Sequence, residues 1–269
     1  MDLHTVTDYT VARTREDLTW GPGTAFVGGG TWLFSEPQPH ARRLVDLSGL
    51  GWPATVIDDA GLEVAATCTV EELSRLSETT TWQAAPLFGQ CADALLASWK
   101  IWKRATVGGN ICLSLPAGAM ISLAVALDAD AVIWSRGGGE RRLPVAEFVT
   151  GVGGNLLHDG DILRSIRIEA PKLSSRTAFR KIALSPLGRS GAVVIGRRDA
   201  DGAFALSVTA ATTRPHVLRF PDLPAAADLE AALTSTVAAD AYHADVHGTP
   251  QWRRAVTAVL AQEVREELS

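Results

Sequence analysis

The stretch TAFVGGGTWL, residues 24–33, gives the clearest local signal of structure in this chain. Its first four residues favour a β-strand, and the three glycines after them are typical of a tight loop. Glycine lets backbone N–H groups approach an anion closely, because it has no Cβ and adopts positive φ freely. The stretch therefore predicts a strand followed by a candidate cradle for phosphate oxygens.

A second glycine stretch, TVGGN at residues 106–110, is predicted to form a turn. Each stretch carries a threonine hydroxyl beside its glycines, and the second adds the amide of Asn110. Such groups can bind phosphate and ribose oxygens without adding charge. Either stretch alone is compatible with an ordinary tight turn. The pair favours a ligand site, but the residues by themselves leave the ligand open.

The patterns of the common nucleotide-binding folds and of several enzyme classes are missing from the sequence. The Rossmann fingerprint needs a sixth-position glycine, and counting from Gly28 that position is Leu33. The sequence also lacks the Lys-Ser or Lys-Thr of a P-loop, the nucleophile elbow of a serine hydrolase and the His-Glu-x-x-His pair of a metalloprotease. No residue is therefore predicted to be catalytic, and no metal site is expected.

Composition indicates an ordinary globular protein. The chain has 269 residues, of which 46% are hydrophobic and 20% charged, with a formal net charge of -5. This length suits two or three modest domains. Because a nucleic-acid binder usually carries clustered basic residues, the acidic balance argues against that class.

The cysteines and the chain start indicate a cytoplasmic protein. Cys68, Cys91 and Cys112 are too few for a disulfide scaffold, and their spacing fits no zinc or iron–sulfur pattern. The first residues show no secretory signal, and the longest apolar run, near residues 121–127, is too short to span a bilayer. We therefore expect reduced thiols and a cytoplasmic location.

Periodicity predicts an alternation of short strands and helices. Thr69 and Glu72 form a predicted capping box, and the glycines at 137–139 a hairpin loop. The last helix is amphipathic, with Trp252, Val256, Val259 or Leu260, and Val264 on one side. The predicted strands are 5–6, 24–27, 44–47, 62–66, 131–134, 162–168, 180–183, 192–197 and 203–210, and the predicted helices are 14–19, 86–100, 119–127, 225–234 and 249–267.

An ordered set of short motifs resembles the FAD-binding medium subunits of molybdenum hydroxylases, of the xanthine dehydrogenase and carbon monoxide dehydrogenase type. The set spans nearly the whole chain in the order found in that family. Its members are VGGGTWL (27–33), RATVGGNI (104–111), EFVTG (147–151) leading to GDILRSI (160–166), FRK (179–181) and HGTPQWRR (247–254).

The resemblance implies an α+β fold with an FAD-binding domain of the vanillyl-alcohol-oxidase (PCMH) type over residues 1–172. That domain would have two subdomains, about 1–55 and 56–172, with FAD extended between them. Residues 173–269 would form a C-terminal α+β domain with a small antiparallel sheet and helices. The implied FAD-binding residues are Val27, Gly28, Gly29, Gly30, Thr31, Trp32, Leu33, Thr106, Gly108, Gly109, Asn110, Leu163 and Lys181.

The resemblance also implies roles for single residues. Residues 27–33 would wrap the pyrophosphate, and the second loop would hold phosphate and ribityl oxygens. Leu163 would pack against the isoalloxazine ring, and Lys181 would lie near the flavin. Ala119 stands where the family often has an aspartate, and Trp102 where an arginine is usual.

The implied function is an FAD-binding electron-transfer subunit of a molybdenum hydroxylase complex. A small partner would hold [2Fe–2S] clusters, a large partner the molybdenum cofactor, and the assembly would be a dimer of heterotrimers. The electron acceptor would be NAD, a quinone or oxygen. Two alternatives stay open: a self-contained flavin oxidoreductase of the same fold, or an assembly subunit that has lost FAD.

Overall fold

The computed structural model describes residues 3–269 and contains mixed helices and sheets. The strands are β1 (Asp8–Val11), β2 (Thr24–Val27), β3 (Arg43–Asp46), β4 (Thr55–Asp58), β5 (Gly61–Ala65), β6 (Asp130–Trp134), β7 (Glu140–Pro144), β8 (Val149–Gly151), β9 (Gly154–Asn155), β10 (Ile162–Glu169), β11 (Arg176–Ile182), β12 (Ala192–Arg198), β13 (Phe204–Thr209) and β14 (His216–Phe220). The α-helices are α1 (Val70–Ser74), α2 (Leu76–Thr79), α3 (Ala85–Ala94), α4 (Trp99–Trp102), α5 (Val107–Leu113), α6 (Ala119–Ala126), α7 (Val145–Phe148), α8 (Ala170–Leu173), α9 (Ala226–Thr236) and α10 (Pro250–Glu267).

A small parallel sheet in the order β1-β3-β2 opens the chain. Its central strand β3 buries Leu44 and Val45, and Val27 at the end of β2 packs with Leu44 and Ala41. The glycine stretch that follows Val27 therefore leaves the carboxyl end of a parallel strand. Ligands of α/β proteins commonly bind beyond such strand ends.

The next sheet is antiparallel, in the order β4-β5-β10-β6-β7. Helix α6 is buried along all of its residues, because its sequence, AMISLAVA, is apolar on every side. It packs against α3 and also against β12 and β13 of the sheet that follows. Between α6 and β13 the hydroxyls of Ser122 and Thr209 lie 2.7 Å apart, which satisfies both buried groups.

The C-terminal part contains the predicted antiparallel sheet with helices. Strands β11-β12-β13-β14 form a meander, and α9 and α10 pack with it around a second core. Close packing of α10 depends on Gly196, where a Cβ would lie 2.4 Å from Val264. Of the two alternatives on α10, Leu260 is buried and Val259 is 59% exposed. The domain boundary after residue 172 stays a prediction.

Several local predictions are confirmed. The strand at 24–27 has the predicted bounds, and Thr69 and Glu72 make a reciprocal capping box at the start of α1. The glycines at 137–139 connect β6 and β7, which pair as an antiparallel hairpin. In each case the signal lies within a few residues.

Three local predictions are wrong, and several strands were missed, among them β4 and β14. The strand predicted at residues 5–6 begins instead at Asp8, as β1. The predicted helix over 86–100 is two helices, α3 and α4, because Leu96 takes a left-handed φ of 51° between them. The predicted turn at 106–110 is the start of α5, where the Thr106 hydroxyl accepts a hydrogen bond from the N–H of Gly109. Strand β14 was not predicted. It is ordered by its antiparallel pairing with β13, which the residues of β14 alone do not indicate.

A buried charge network joins strand β12 of the C-terminal sheet to the end of α6 and to α8. Arg197, 2% exposed, donates to Asp199 over 2.7 Å, to Asp128 and to the carbonyl of Ala126 at the end of α6. Lys172 donates to Asp199 over 2.7 Å. Burial would raise the pKa of Asp199, but hydrogen bonds from Arg197, Lys172 and Ser175 outweigh it and lower this pKa to about 2.

We expect this network to make the free energy of unfolding depend on pH at acidic pH. Because the Asp199 pKa is lower in the folded than in the unfolded chain, its stabilisation is complete above pH about 4 and is lost as pH falls towards 2. Allowing for solvent screening, the loss is about 1 kcal/mol. Urea unfolding of wild type and Asp199→Asn between pH 5 and 2.5 would measure it.

The variant's free energy of unfolding should fall less steeply with acidification than that of wild type. Asp59→Asn is the matched control, since Asp59 is exposed and makes no ion pair among residues 3–269. It should keep the wild-type dependence. Parallel curves for wild type and Asp199→Asn would contradict the assignment.

Candidate functional site

A cleft of about 570 Å³ lies between the two glycine stretches. One wall comes from the loop after β2, and the opposite wall from α4, α5 and the residues that precede them. Its described lining consists of Phe26, Val27, Gly28, Gly29, Gly30, Thr31, Trp32, Leu33, Ser35, Gln38, Leu95, Ala97, Ile101, Ala105, Thr106, Gly109, Asn110, Cys112, Leu113 and Arg189. Residues of both glycine stretches identified in the sequence therefore line the same cleft.

The first glycine loop lines this cleft with residues whose backbone N–H groups are unpaired. From Gly28 to Leu33, no backbone N–H donates to an acceptor within the described chain. The loop is closed instead by the N–H of Phe34, which donates to the Gly30 carbonyl over 2.8 Å, and Gly30 takes a φ of +70°. Since unpaired N–H groups are costly unless solvent or a ligand satisfies them, the run suits the oxygens of an anion.

The first glycine loop lies directly against the second stretch and the residues just before it. A Cβ built on Gly29 would lie 1.5 Å from the carbonyl oxygen of Arg104. One built on Gly28 would lie 2.7 Å from the Thr106 hydroxyl. Glycine at these two positions is therefore needed for the close approach of the loops, whatever the cleft binds.

The second stretch offers side chains rather than backbone donors. The N–H groups from Val107 to Asn110 are already used; that of Gly108, for example, donates to Ala66 and that of Gly109 to Thr106. The Oδ1 of Asn110 accepts from the N–H of Met120 over 3.0 Å, so its Nδ2 hydrogens are available to a ligand. The Thr106 hydroxyl accepts from Gly109 over 3.1 Å and keeps its own hydrogen to donate.

Most predicted site residues line the cleft, but three do not. Gly108 is buried against Ala66, where a Cβ would lie 2.4 Å from the alanine methyl. Leu163 is 3% exposed and packs in the larger core. Lys181 lies on the sheet face of Val193 and makes no ion pair within residues 3–269. Contact of Leu163 and Lys181 with a flavin stays a prediction.

Sequence reasoning missed the apolar wall and one cation. Leu95, Ile101 and Leu113 contribute apolar side chains, which suit an aromatic ring. Arg189 reaches the cleft from the loop between β11 and β12. No local pattern marks these residues, because only the folded chain brings them to the glycine loops.

The two residues that depart from the family pattern, Ala119 and Trp102, occupy packed positions, whereas Trp32 of the first loop does not. Ala119 is buried at the start of α6 and belongs to the larger core. Trp102 packs against the same core from α4. Trp32 lines the cleft and is 36% exposed, so its ring is available to a ligand.

The cysteines are poor nucleophiles and poor metal ligands in this structure. Burial raises the pKa of Cys68 and of Cys112, which lines the cleft, to about 12, and it also raises that of Cys91. The thiols are therefore protonated at neutral pH. In the part of the chain that is described, no three His, Cys, Asp or Glu residues cluster as metal ligands, and no helix is long and apolar enough to cross a membrane.

A known family and two relatives match parts of this chain. The family described as the FAD binding domain in molybdopterin dehydrogenase matches residues 5–171. Caffeine dehydrogenase subunit beta of Pseudomonas sp. (strain CBB1) is 35% identical over 117 residues, which cover 42% of this chain and 39% of that protein. The nicotinate dehydrogenase FAD-subunit of Eubacterium barkeri is 29% identical over 172 residues, 59% of this chain and 55% of that protein. The chain thus spans about two fifths to just over half of these relatives.

Solved structures match over nearly the whole chain. The structure of quinoline 2-oxidoreductase from Pseudomonas putida 86 has a TM-score of 0.76 at 18% identity and covers 97% of this chain and 95% of its own. Reconstituted CO dehydrogenase from Oligotropha carboxidovorans has a TM-score of 0.78 at 20% identity and covers 96% of each chain. At such identities the likeness concerns the fold.

Proposed function

This chain belongs to the family of FAD-binding domains of molybdopterin dehydrogenases, and from that premise we propose that it is an FAD-dependent electron-transfer subunit of a molybdenum hydroxylase complex. The observation that carries the proposal is the run of unpaired N–H groups from Gly28 to Leu33 in the loop that lines the cleft. A dinucleotide carries a diphosphate, and such a run is what its oxygens require.

The residues present fit FAD. The first loop would bind the diphosphate through its backbone, and Asn110 and Thr106 would donate to phosphate or ribityl oxygens. Leu95, Ile101 and Leu113 would exclude water from an aromatic ring. FAD, when bound, supplies a redox group that takes up and passes on electrons. The lining has no carboxylate or imidazole, so the described residues of the cleft bind and orient rather than transfer protons.

Two more residues belong to this proposal. Leu163 would lie at the isoalloxazine ring, and Lys181 would place a cation near the flavin. Lys181 is half-buried and makes no hydrogen bond or ion pair through its ammonium within residues 3–269, which supports this role. A cation there would favour added negative charge on the bound cofactor.

The electrons would come from clusters that this chain does not hold. A small partner with [2Fe–2S] clusters would deliver them from a large partner with the molybdenum cofactor, and NAD, a quinone or oxygen would accept them. Two matched relatives are named as a subunit beta and an FAD-subunit, which supports a division of the electron-transfer groups among several chains. A dimer of heterotrimers is the assembly we propose.

Two measurements test the proposal. The purified chain should be yellow or should bind added FAD in a titration followed by flavin fluorescence. Protein isolated gently from its native cells should carry stoichiometric iron and molybdenum that leave with partner chains on dissociation. A metal-free flavoprotein that turns over a substrate alone would contradict the subunit proposal, and a chain that binds no FAD would contradict the cofactor assignment.

A further inference from the structure

The cleft has one charged residue among those described as lining it, and that residue is Arg189. Its guanidinium makes no hydrogen bond or ion pair within residues 3–269, and the side chain is exposed. The rest of the lining is apolar or carries neutral polar groups. The cleft therefore has a single formal positive charge, and no protein carboxylate pairs with it.

Arg189 comes from outside the matched family domain. That domain covers residues 5–171, whereas Arg189 lies in the loop between β11 and β12 of the C-terminal sheet. Both glycine stretches lie inside the domain. The site in the cleft is thus assembled from the family domain and from the C-terminal part of the chain, where the motifs had pointed only to Lys181.

The loop that carries Arg189 is fixed at its base. The N–H of Gly191 donates to the Ile182 carbonyl over 2.8 Å, and a turn joins Ser185 to Gly188. Buried Arg253 donates to the carbonyl of Gly191 over 2.7 Å. Gly191 also lies against Trp252, since a Cβ there would be 2.4 Å from the indole. Two residues before this anchor, Arg189 starts from a backbone that is held in place.

We propose that Arg189 is a further binding residue of the cofactor site, whose charge attracts and holds the diphosphate of the dinucleotide. The inference rests on the proposed function, because it requires FAD in the cleft. Arginine suits this role, since its guanidinium stays protonated and its planar donors match phosphate oxygens. The neutral donors of the glycine loop fix the position of the diphosphate but cannot neutralise its charge. The segment after residue 172 therefore completes the binding site.

The test is FAD and riboflavin binding by wild type, Arg189→Gln and Arg189→Lys at low and high salt. Arg189→Gln should weaken FAD binding about fivefold at low salt, and the difference should shrink as salt screens the charge. Riboflavin has no phosphate, so its affinity should not change. Arg189→Lys should retain most of the FAD affinity because it keeps the charge.

Arg254→Gln is the matched control, because it removes the same charge from an exposed position on α10 outside the cleft lining. It should bind FAD as wild type does. Equal FAD affinity of wild type and Arg189→Gln, or an equal loss for riboflavin, would overturn the inference while the proposed function stands. A wild-type chain that binds no FAD would instead overturn the proposed function, and the inference with it.

Discussion

Gly29→Ala is expected to weaken FAD binding by at least about 100-fold, because the new methyl group and the second loop would compete for the same space. Its Cβ would lie 1.5 Å from the carbonyl oxygen of Arg104, far inside any van der Waals contact. Backbone cannot rotate away as a side chain can, so the two loops would have to separate. Separation would remove the run of N–H groups from its position over the cleft.

A graded series makes this result specific. Gly28→Ala would place its methyl group 2.7 Å from the Thr106 hydroxyl and should give an intermediate loss. Gly21→Ala meets nothing within 4 Å and should bind FAD as wild type does. Fluorescence titration gives the affinities, and thermal unfolding reports whether each variant folds. If folded Gly29→Ala bound FAD with wild-type affinity, the assignment of the first loop would be wrong.

The fold was predictable where its signals are local. The strand at 24–27, the capping box at Thr69 and the glycine hairpin at 137–139 each depend on a few neighbouring residues. The helix over 86–100 failed because periodicity does not detect a single left-handed residue, Leu96, within an otherwise apolar pattern. Strand β14 was missed because its own residues give a weak signal and it becomes a strand by pairing with β13.

The sequence predicted the two glycine loops of the site but not which chemical groups line the cleft. Glycine stretches indicated close backbone approach, and the structure brings both stretches to one cleft. The sequence could not tell which N–H groups stay unpaired, because that depends on α5 forming at Thr106 and using the donors of the second stretch. Nor could it place Arg189, which reaches the cleft only through the packing of the C-terminal sheet.

The packing that fixes this sheet depends on one buried cation. Arg253 on α10 is 1% exposed, and its guanidinium donates to the carbonyls of Gly191, Ala210 and Gly248. It also pairs with the carboxylate of Asp245. Burial would raise the pKa of Asp245, but the N–H of His247 and the charge of Arg253 outweigh it and lower this pKa. One side chain thus satisfies groups from three separate segments.

Arg253→Met is expected to lower the free energy of unfolding by about 3–5 kcal/mol, since it removes the guanidinium that binds a carboxylate and three carbonyls. Methionine fills similar space, so lost hydrogen bonds rather than a cavity cause the effect. Such a loss is a large share of the stability of a typical domain, about 5–15 kcal/mol. Urea unfolding at neutral pH measures it.

The neighbouring Arg254→Met is the matched control: Arg254 is exposed, and its replacement should cost less than about 0.5 kcal/mol. Arg253→Lys should lie between the two, because an ammonium keeps the charge but cannot reach all four acceptors. Equal stabilities of Arg253→Met and Arg254→Met would show that α10 holds the sheet through its apolar face alone.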